Sequence, residues 1–171
     1  MLELHLPAPI ASDLERSLRW HGVEEVAFIF AAPQEVPSVL RALEIFRVPR
    51  EGFRHQSDVH VSLTDETRAY VIARAWQLGG ALIEAHSHRD DPPVFSASDI
   101  LGFADWVPHV RWRLRGRPYV ALVFAPGGFD ALVWDAPTGK PTGLARLTVD
   151  GQPARAPSGL TLRSLCGGWS R

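Results

Sequence analysis

The stretch ALIEAHSHRDDPPVFSASD, residues 81–99, decides how the chain is read. Its first five residues, Ala81 to Ala85, fit a buried strand that runs into His86. Pro92-Pro93 turns the chain. Ser96, followed three residues later by Asp99, is a helix start, with Ser96 as the N-cap and Asp99 in the first turn. The spacing therefore delivers His86 and His88 from a strand end and Asp99 from a helix. Two imidazoles and a carboxylate can hold one divalent metal and leave a fourth position open, as a catalytic zinc requires. Taken singly, HxH often marks mere surface histidines and SxxD is an everyday capping box. The joint pattern HxH-x7-SxxD is what points to a metal site.

Outward from this stretch the elements alternate. Leu2–Leu6 reads as a strand, and Ser12 can cap a short helix through Leu14, Leu18 and Trp20, ended by His21-Gly22. Val26–Ala31 is apolar throughout and predicts a central buried strand. Val39–Val48 predicts another, Pro49–Asp58 a polar loop, and Val59–Leu63 a further strand. Thr64 caps a helix over Asp65–Leu78, with Asp65 and Glu66 at the positive end of its dipole and Gly79-Gly80 stopping it. The helix opened by Ser96 carries Ile100, Phe103 and Ala104, and Pro108 should end or kink it. Tyr119–Ala125 and Phe129–Asp135 predict a hairpin around Gly127-Gly128, and Leu144–Val149 a last strand. From Gly151 onward Pro, Gly and Ser predict a loop or loosely packed tail. This order implies a mixed α/β layer fold around one sheet, with a domain over 1–150 and a tail over 151–171.

With 171 residues and 46% hydrophobic content the chain suits one domain with a sizeable core. A net charge of -1 implies no global pull toward nucleic acid or membrane. Cys166 is the only cysteine, which excludes a disulfide framework and a cysteine-built zinc finger within the chain. No signal peptide is visible and no apolar stretch is long enough to cross a bilayer, so the expected location is cytoplasmic. Lys140 is the only lysine, and the plain explanation is a GC-rich genome. The basic run Arg111–Arg117 can bind an acidic partner or nucleic acid, but such a run more often is a solvated helix end. His60 and Ser62 face the cleft if their strand runs beside His86, but a histidine in such a place is more often a surface residue.

A metal of this kind lowers the pKa of its water to about 7, and a nearby carboxylate can take the proton and pass it to a leaving amine. Glu24 and Glu25, at the mouth of the central strand, are the candidates. Successive strand residues point to opposite faces, so only one of them can aim at the site.

With these residues the chain resembles the JAMM metallopeptidases, the catalytically competent branch of the MPN (JAB) domain family, in a bacterial form. Their motif is a Glu on an early strand followed far downstream by HxH-x7-SxxD. The resemblance covers Leu2 to Val149 in element order, and only the motif residues are diagnostic. It implies a single MPN/JAB-like domain with a mixed, curved sheet flanked by helices. It implies one zinc per chain held by His86, His88 and Asp99, and a role for Ser96 in stabilising the tetrahedral intermediate. The family Glu stands three residues before a small residue; Glu24 fits with Ala27, whereas Glu25 fits only if Phe28 replaces the small residue. Arg89 stands where the family commonly has Pro, and Glu84 stands where deubiquitinases tend to have an aromatic.

The implied activity is zinc-dependent cleavage after the C-terminus of a ubiquitin-like protein, as deconjugation or precursor processing. The implied partners are that protein or its conjugate and E1-like and E2-like proteins of a bacterial conjugation or antiviral defence pathway, with no membrane. Two other readings stand beside it: a RadC-like JAB protein associated with DNA, supported only by Arg111–Arg117, and a non-catalytic MPN scaffold, which usually lacks the ligands that this chain retains.

Overall fold

The computed structural model describes residues 1–19, 21–34, 36 and 38–167. Nine strands and four helices follow in the order β1 (Glu3–Leu6), α1 (Ala8–Ser17), β2 (Val26–Pro33), β3 (Val39–Arg47), β4 (Phe53–Gln56), β5 (Val61–Leu63), α2 (Asp65–Gln77), β6 (Ala81–Ser87), α3 (Ala97–Arg113), β7 (Tyr119–Ala125), β8 (Gly128–Trp134), β9 (Arg146–Val149) and α4 (Leu160–Gly167), among the described residues. Seven strands form one curled mixed sheet in the order β8-β7-β6-β2-β3-β1-β9, flanked by helices. The expected mixed α/β class is the one observed.

The strands that position the site are β7, β6 and β2, which are neighbours in the sheet and largely buried. β2 pairs antiparallel with β6, and β6 pairs parallel with β7, with α3 as the crossover. Residues of one parity, such as Ala27, Ile29, Ala31, Ile83 and Leu122, face α1 through Ala11 and Leu14. Residues of the other parity, such as Phe28, Phe30, Leu82 and Tyr119, face α2 and α3 through Val71, Phe103 and Val107. Thr64 caps α2 by accepting a hydrogen bond from the Thr67 amide, and Gly79 follows at φ 66°. At that left-handed angle a side chain would be strained, so glycine is the natural stop.

Four local expectations are corrected. Ser12 does not cap α1: the helix begins at Ala8 after Pro7, with a proline in its first turn, where a missing N–H costs nothing. The helix stops at Ser17, with Leu18 as its C-cap, short of the end expected at His21-Gly22, and Trp20 lies outside the described residues. The polar loop over 49–58 holds a 3-10 turn, Arg50–Gly52, and then β4, which pairs antiparallel with β5 in a separate two-stranded sheet. Thr67 ties this hairpin down by donating to the Gly52 carbonyl at 3.1 Å. Pro108 does not end α3, which runs on to Arg113. Buried Val107 and Val110 on either side of it pack on the sheet and offset the lost hydrogen bond. The tail after Gly151 is not a loose loop throughout, because Leu160–Gly167 is helical. Its start is capped from β8, where buried Asp130 accepts from the amides of Gly159 at 2.8 Å and Thr161 at 2.9 Å. No helix among the described residues is long and apolar enough to cross a membrane.

Candidate metal centre

β6 carries Glu84 and His86 on the face toward α3, because residues two apart in a strand share a face. His88 lies one residue past the strand end, and its amide still bonds the Phe124 carbonyl of β7 at 2.7 Å. The chain then crosses residues 89–95 to α3. Asp91 anchors this crossing by accepting from the Gly127 amide at 2.8 Å. A Cβ at Gly127 would stand 2.9 Å from that carboxylate and would displace it from this position. Phe95 is fixed from α4 by Thr161 at 3.1 Å and meets the His86 ring edge-on at 5.6 Å.

Ser96 then caps α3 in a complete capping box. Its Oγ accepts from the Asp99 amide at 3.1 Å, and Asp99 Oδ2 accepts from the Ser96 amide at 2.7 Å. The hydroxyl proton is directed at the same Asp99 oxygen, 2.8 Å away. Ser96 thus sits beside the centre with its donor engaged by Asp99. Donation to a substrate oxygen requires that hydroxyl to turn.

The three expected ligands converge. His86 Nε2 and His88 Nε2 are 3.2 Å apart, and Asp99 Oδ2 lies 3.6 Å from the first and 3.5 Å from the second. Donors at about 2.0–2.1 Å around a tetrahedral zinc stand roughly 3.3–3.4 Å from one another. The triangle fits one face of such a tetrahedron, in both spacing and chemistry, and these three side chains form a group able to hold a metal ion.

The two glutamates part as strand geometry requires. Glu24 Oε1 lies 3.6 Å from His88 Nε2, whereas Glu25 Oε1 lies 3.9 Å from Arg47 Nη2. Both are buried at the mouth of β2. Burial raises the Glu24 carboxyl above its ordinary value, although the charges of His86 and His88 pull the other way. For Asp99 burial also raises, but the close approach of His86 and His88 and the Ser96 hydrogen bond outweigh it. The carboxyl is held well below the usual range. For His86 burial lowers, and Asp99, Glu84 and Glu24 more than reverse it, so the ring lies above its ordinary value.

Several supporting residues carried no local signal. Ser87, between the two ligands, points the other way and accepts from the Glu25 amide at 3.1 Å, while its own amide bonds the Glu25 carbonyl at 3.1 Å. The hairpin holds the other side: Gln56 donates to the Glu24 carbonyl at 2.8 Å, and the Glu24 amide bonds the Ser57 carbonyl at 2.8 Å. The backbone that aims Glu24 is therefore clamped from β6 and from the hairpin. His60 is exposed and the strand it leads into pairs with β4, not β6, yet His60 and Ser62 line the cleft with His86 and Asp99, and His60 Nδ1 is 3.3 Å from Ser98 Oγ.

The basic run lies elsewhere. It begins near the far end of α3, about 20 Å from Asp99 at 1.5 Å per residue. Arg111 donates to the Ala136 carbonyl at 2.7 Å, and Arg115 and Arg117 lie over Trp76 at 5.2 and 5.0 Å. These arginines are engaged in local structure.

No protein-family model matches the sequence, and no curated protein matches it. Among solved structures, the solution structure of protein DSY2949 from Desulfitobacterium hafniense is similar, with a TM-score of 0.51 and 12% identity. The match covers 87% of this chain and 94% of that one. At that identity the likeness concerns the fold alone.

Proposed function

We propose that the protein is a zinc-dependent peptidase or isopeptidase of the JAMM type, working in the cytoplasm. It cleaves after the C-terminus of a ubiquitin-like protein, as a deconjugating or precursor-processing enzyme of a bacterial pathway with E1-like and E2-like members. The observation that carries this reading is the triangle of His86 Nε2, His88 Nε2 and Asp99 Oδ2 with the Glu24 carboxylate beside it, 3.6 Å from His88.

His86, His88 and Asp99 would hold one zinc ion, which when bound supplies Lewis acidity toward a scissile carbonyl and an activated water. Glu24 takes the proton of the attacking water at Oε1 and returns it to the departing amine. Burial suits it to this exchange, because a carboxyl raised from its ordinary value is a better acceptor and gives the proton back nearer neutrality. Glu25 is turned toward Arg47 and takes no part. Ser96 positions Asp99 and, on turning its hydroxyl, donates to the oxygen that becomes negative.

The test is direct. Zinc-loaded protein is incubated with ubiquitin-like proteins encoded beside its gene, each carrying a C-terminal or lysine-linked cargo. Release of cargo, stopped by chelator and restored by zinc, is expected. Zinc binding without release from any such partner would overturn the peptidase reading.

A further inference from the structure

Glu84 is a carboxylate set in a largely buried strand, paired in register with Phe28 on one side and Ala121 on the other. One of its oxygens, Oε2, accepts from the Tyr119 hydroxyl at 2.5 Å, and that hydroxyl accepts from Trp106 Nε1 at 3.1 Å. Tyr119 is fully buried, so this chain of bonds fixes the carboxyl group rigidly. The side chain is half-buried, and its other oxygen, Oε1, has no protein hydrogen-bond partner among the described residues and is open to the space beside it. Setting a carboxylate among apolar neighbours costs stability unless it is paired. Securing Tyr119 explains half of the group and leaves the other half unused.

The unused half belongs to a cavity. A space of about 170 Å³ lies between β5, β6 and α3, and Glu84, Trp106, Arg68 and Ser98 share its lining with His86 and Asp99. The cavity therefore adjoins the metal-binding triangle. Its volume is below the roughly 300–1,000 Å³ of a small-molecule site and suits a single amino-acid side chain. Its charged and titratable lining groups are Glu84, Arg68, His60, His86 and Asp99. Asp99 is committed to the two imidazoles and to Ser96. Arg68 is exposed and stacked on Trp106, 5.4 Å from the ring centre. Glu84 is the carboxylate left to meet an incoming group.

We infer that this cavity receives the side chain flanking the scissile amide, and that Glu84 is a specificity-determining residue selecting lysine or arginine there over an apolar or acidic residue. This rests on the proposed action of the site on an amide. A donor meeting a fixed, half-buried carboxylate is favoured, and an apolar side chain displaces its water without pairing it. Tyr119 and Trp106 act as positioning residues behind it.

The test uses Ala/Gly hexapeptides carrying lysine, arginine, leucine or glutamate at a single position. Binding is measured by calorimetry on zinc-loaded Glu24→Gln protein with and without Glu84→Gln. Cleavage is measured on zinc-loaded wild type and Glu84→Gln. Glutamine keeps an oxygen for the Tyr119 hydroxyl, and melting curves verify the fold. The expected result is a preference of about ten- to a hundredfold for the basic peptides, in binding and in kcat/KM. Glu84→Gln should reduce it to within about threefold of unity. A wild-type protein without this preference, or a preference surviving in Glu84→Gln, overturns the inference. Cleavage without preference removes the pocket and keeps the peptidase. Preference in binding without cleavage keeps the pocket and leaves the peptidase reading to the cargo-release test on ubiquitin-like partners, and absence of preference in binding removes the pocket whatever that test gives.

Discussion

The two faces of the central sheet come from the same strands and are built to opposite rules. Away from the β7–β8 edge, where Phe124 and Phe129 stack, the face under α1 is aliphatic and small: Ala27, Ile29, Ala31, Ile83, Ala85 and Leu122. The face under α2 and α3 is aromatic, with Phe28, Phe30, Phe95, Phe103, Tyr119 and Trp134, and it carries Glu24, Glu84 and His86 on the same parity. Glu24, Glu84 and His86 each approach a named polar partner, with one Glu84 oxygen left over, whereas the α1 face meets its helix through alkyl contact over the middle of the sheet. Because side chains alternate, slipping one residue in β2 or β6 would exchange the two sets. The division between a face that holds the fold and a face that holds the chemistry is thus fixed by strand register, and it can be challenged from either side.

The largest effect is expected from His88→Ala. It removes one corner of the donor triangle and nothing from the apolar core. Zinc content should fall from one per chain toward none, activity should be lost, and the melting temperature without added metal should change little. Metal analysis on the purified variant checks this, and full zinc occupancy would remove His88 from the ligand set.

Next is the paired comparison of Glu24→Gln and Glu25→Gln. The two residues are adjacent in sequence and turned to opposite faces. Glu24→Gln should keep zinc and lose turnover by a factor of about 100 or more, the scale of a general base. Glu25→Gln should stay within a few-fold of wild type. Steady-state kinetics with metal analysis decides the matter. The reverse result would exchange the two faces at the strand mouth.

Ser96→Ala should have a smaller effect, divided between two measurements. The lost cap costs about 1 kcal/mol of stability. If the hydroxyl turns to the substrate, kcat also falls by roughly 10- to 1000-fold with zinc retained. A lower melting temperature with unchanged kcat would confine Ser96 to capping Asp99.

These contrasts also show what the sequence could reveal. The central strands were readable because Val26–Ala31 and Ala81–Ala85 are apolar runs, and α2 because both ends carry local signals at Thr64 and Gly79. The ligand triangle was readable because all three donors fall within 14 consecutive residues, where strand, turn and helix start fix their relative placement. What stayed hidden depends on partners far along the chain. Asp130 caps a helix about 30 residues away that the Pro/Gly-rich local sequence did not announce. Gln56 clamps Glu24 across 32 residues, from a hairpin expected to be loop. Glu84 drew notice only as a departure from a family pattern, since its partner Tyr119 lies 35 residues on.

The smallest expected effect comes from the aliphatic face and tests whether it is separate from the site. Ile83 is fully buried there, one residue from Glu84 and three from His86 in the same strand. Its neighbours in register are Ile29 and Val120, both on the α1 side. Ile83→Val removes one methyl group and should destabilise by about 0.5–1.5 kcal/mol. The loss should be visible as a lower denaturation midpoint with an unchanged slope. Zinc affinity and kcat should not move, because the backbone of β6 is held by the ladders to β2 and β7 and the missing methyl faces away from the triangle. If zinc affinity fell along with stability, the strand would transmit packing changes from one face to the other. The site would then depend on the close packing of α1 as well as on register.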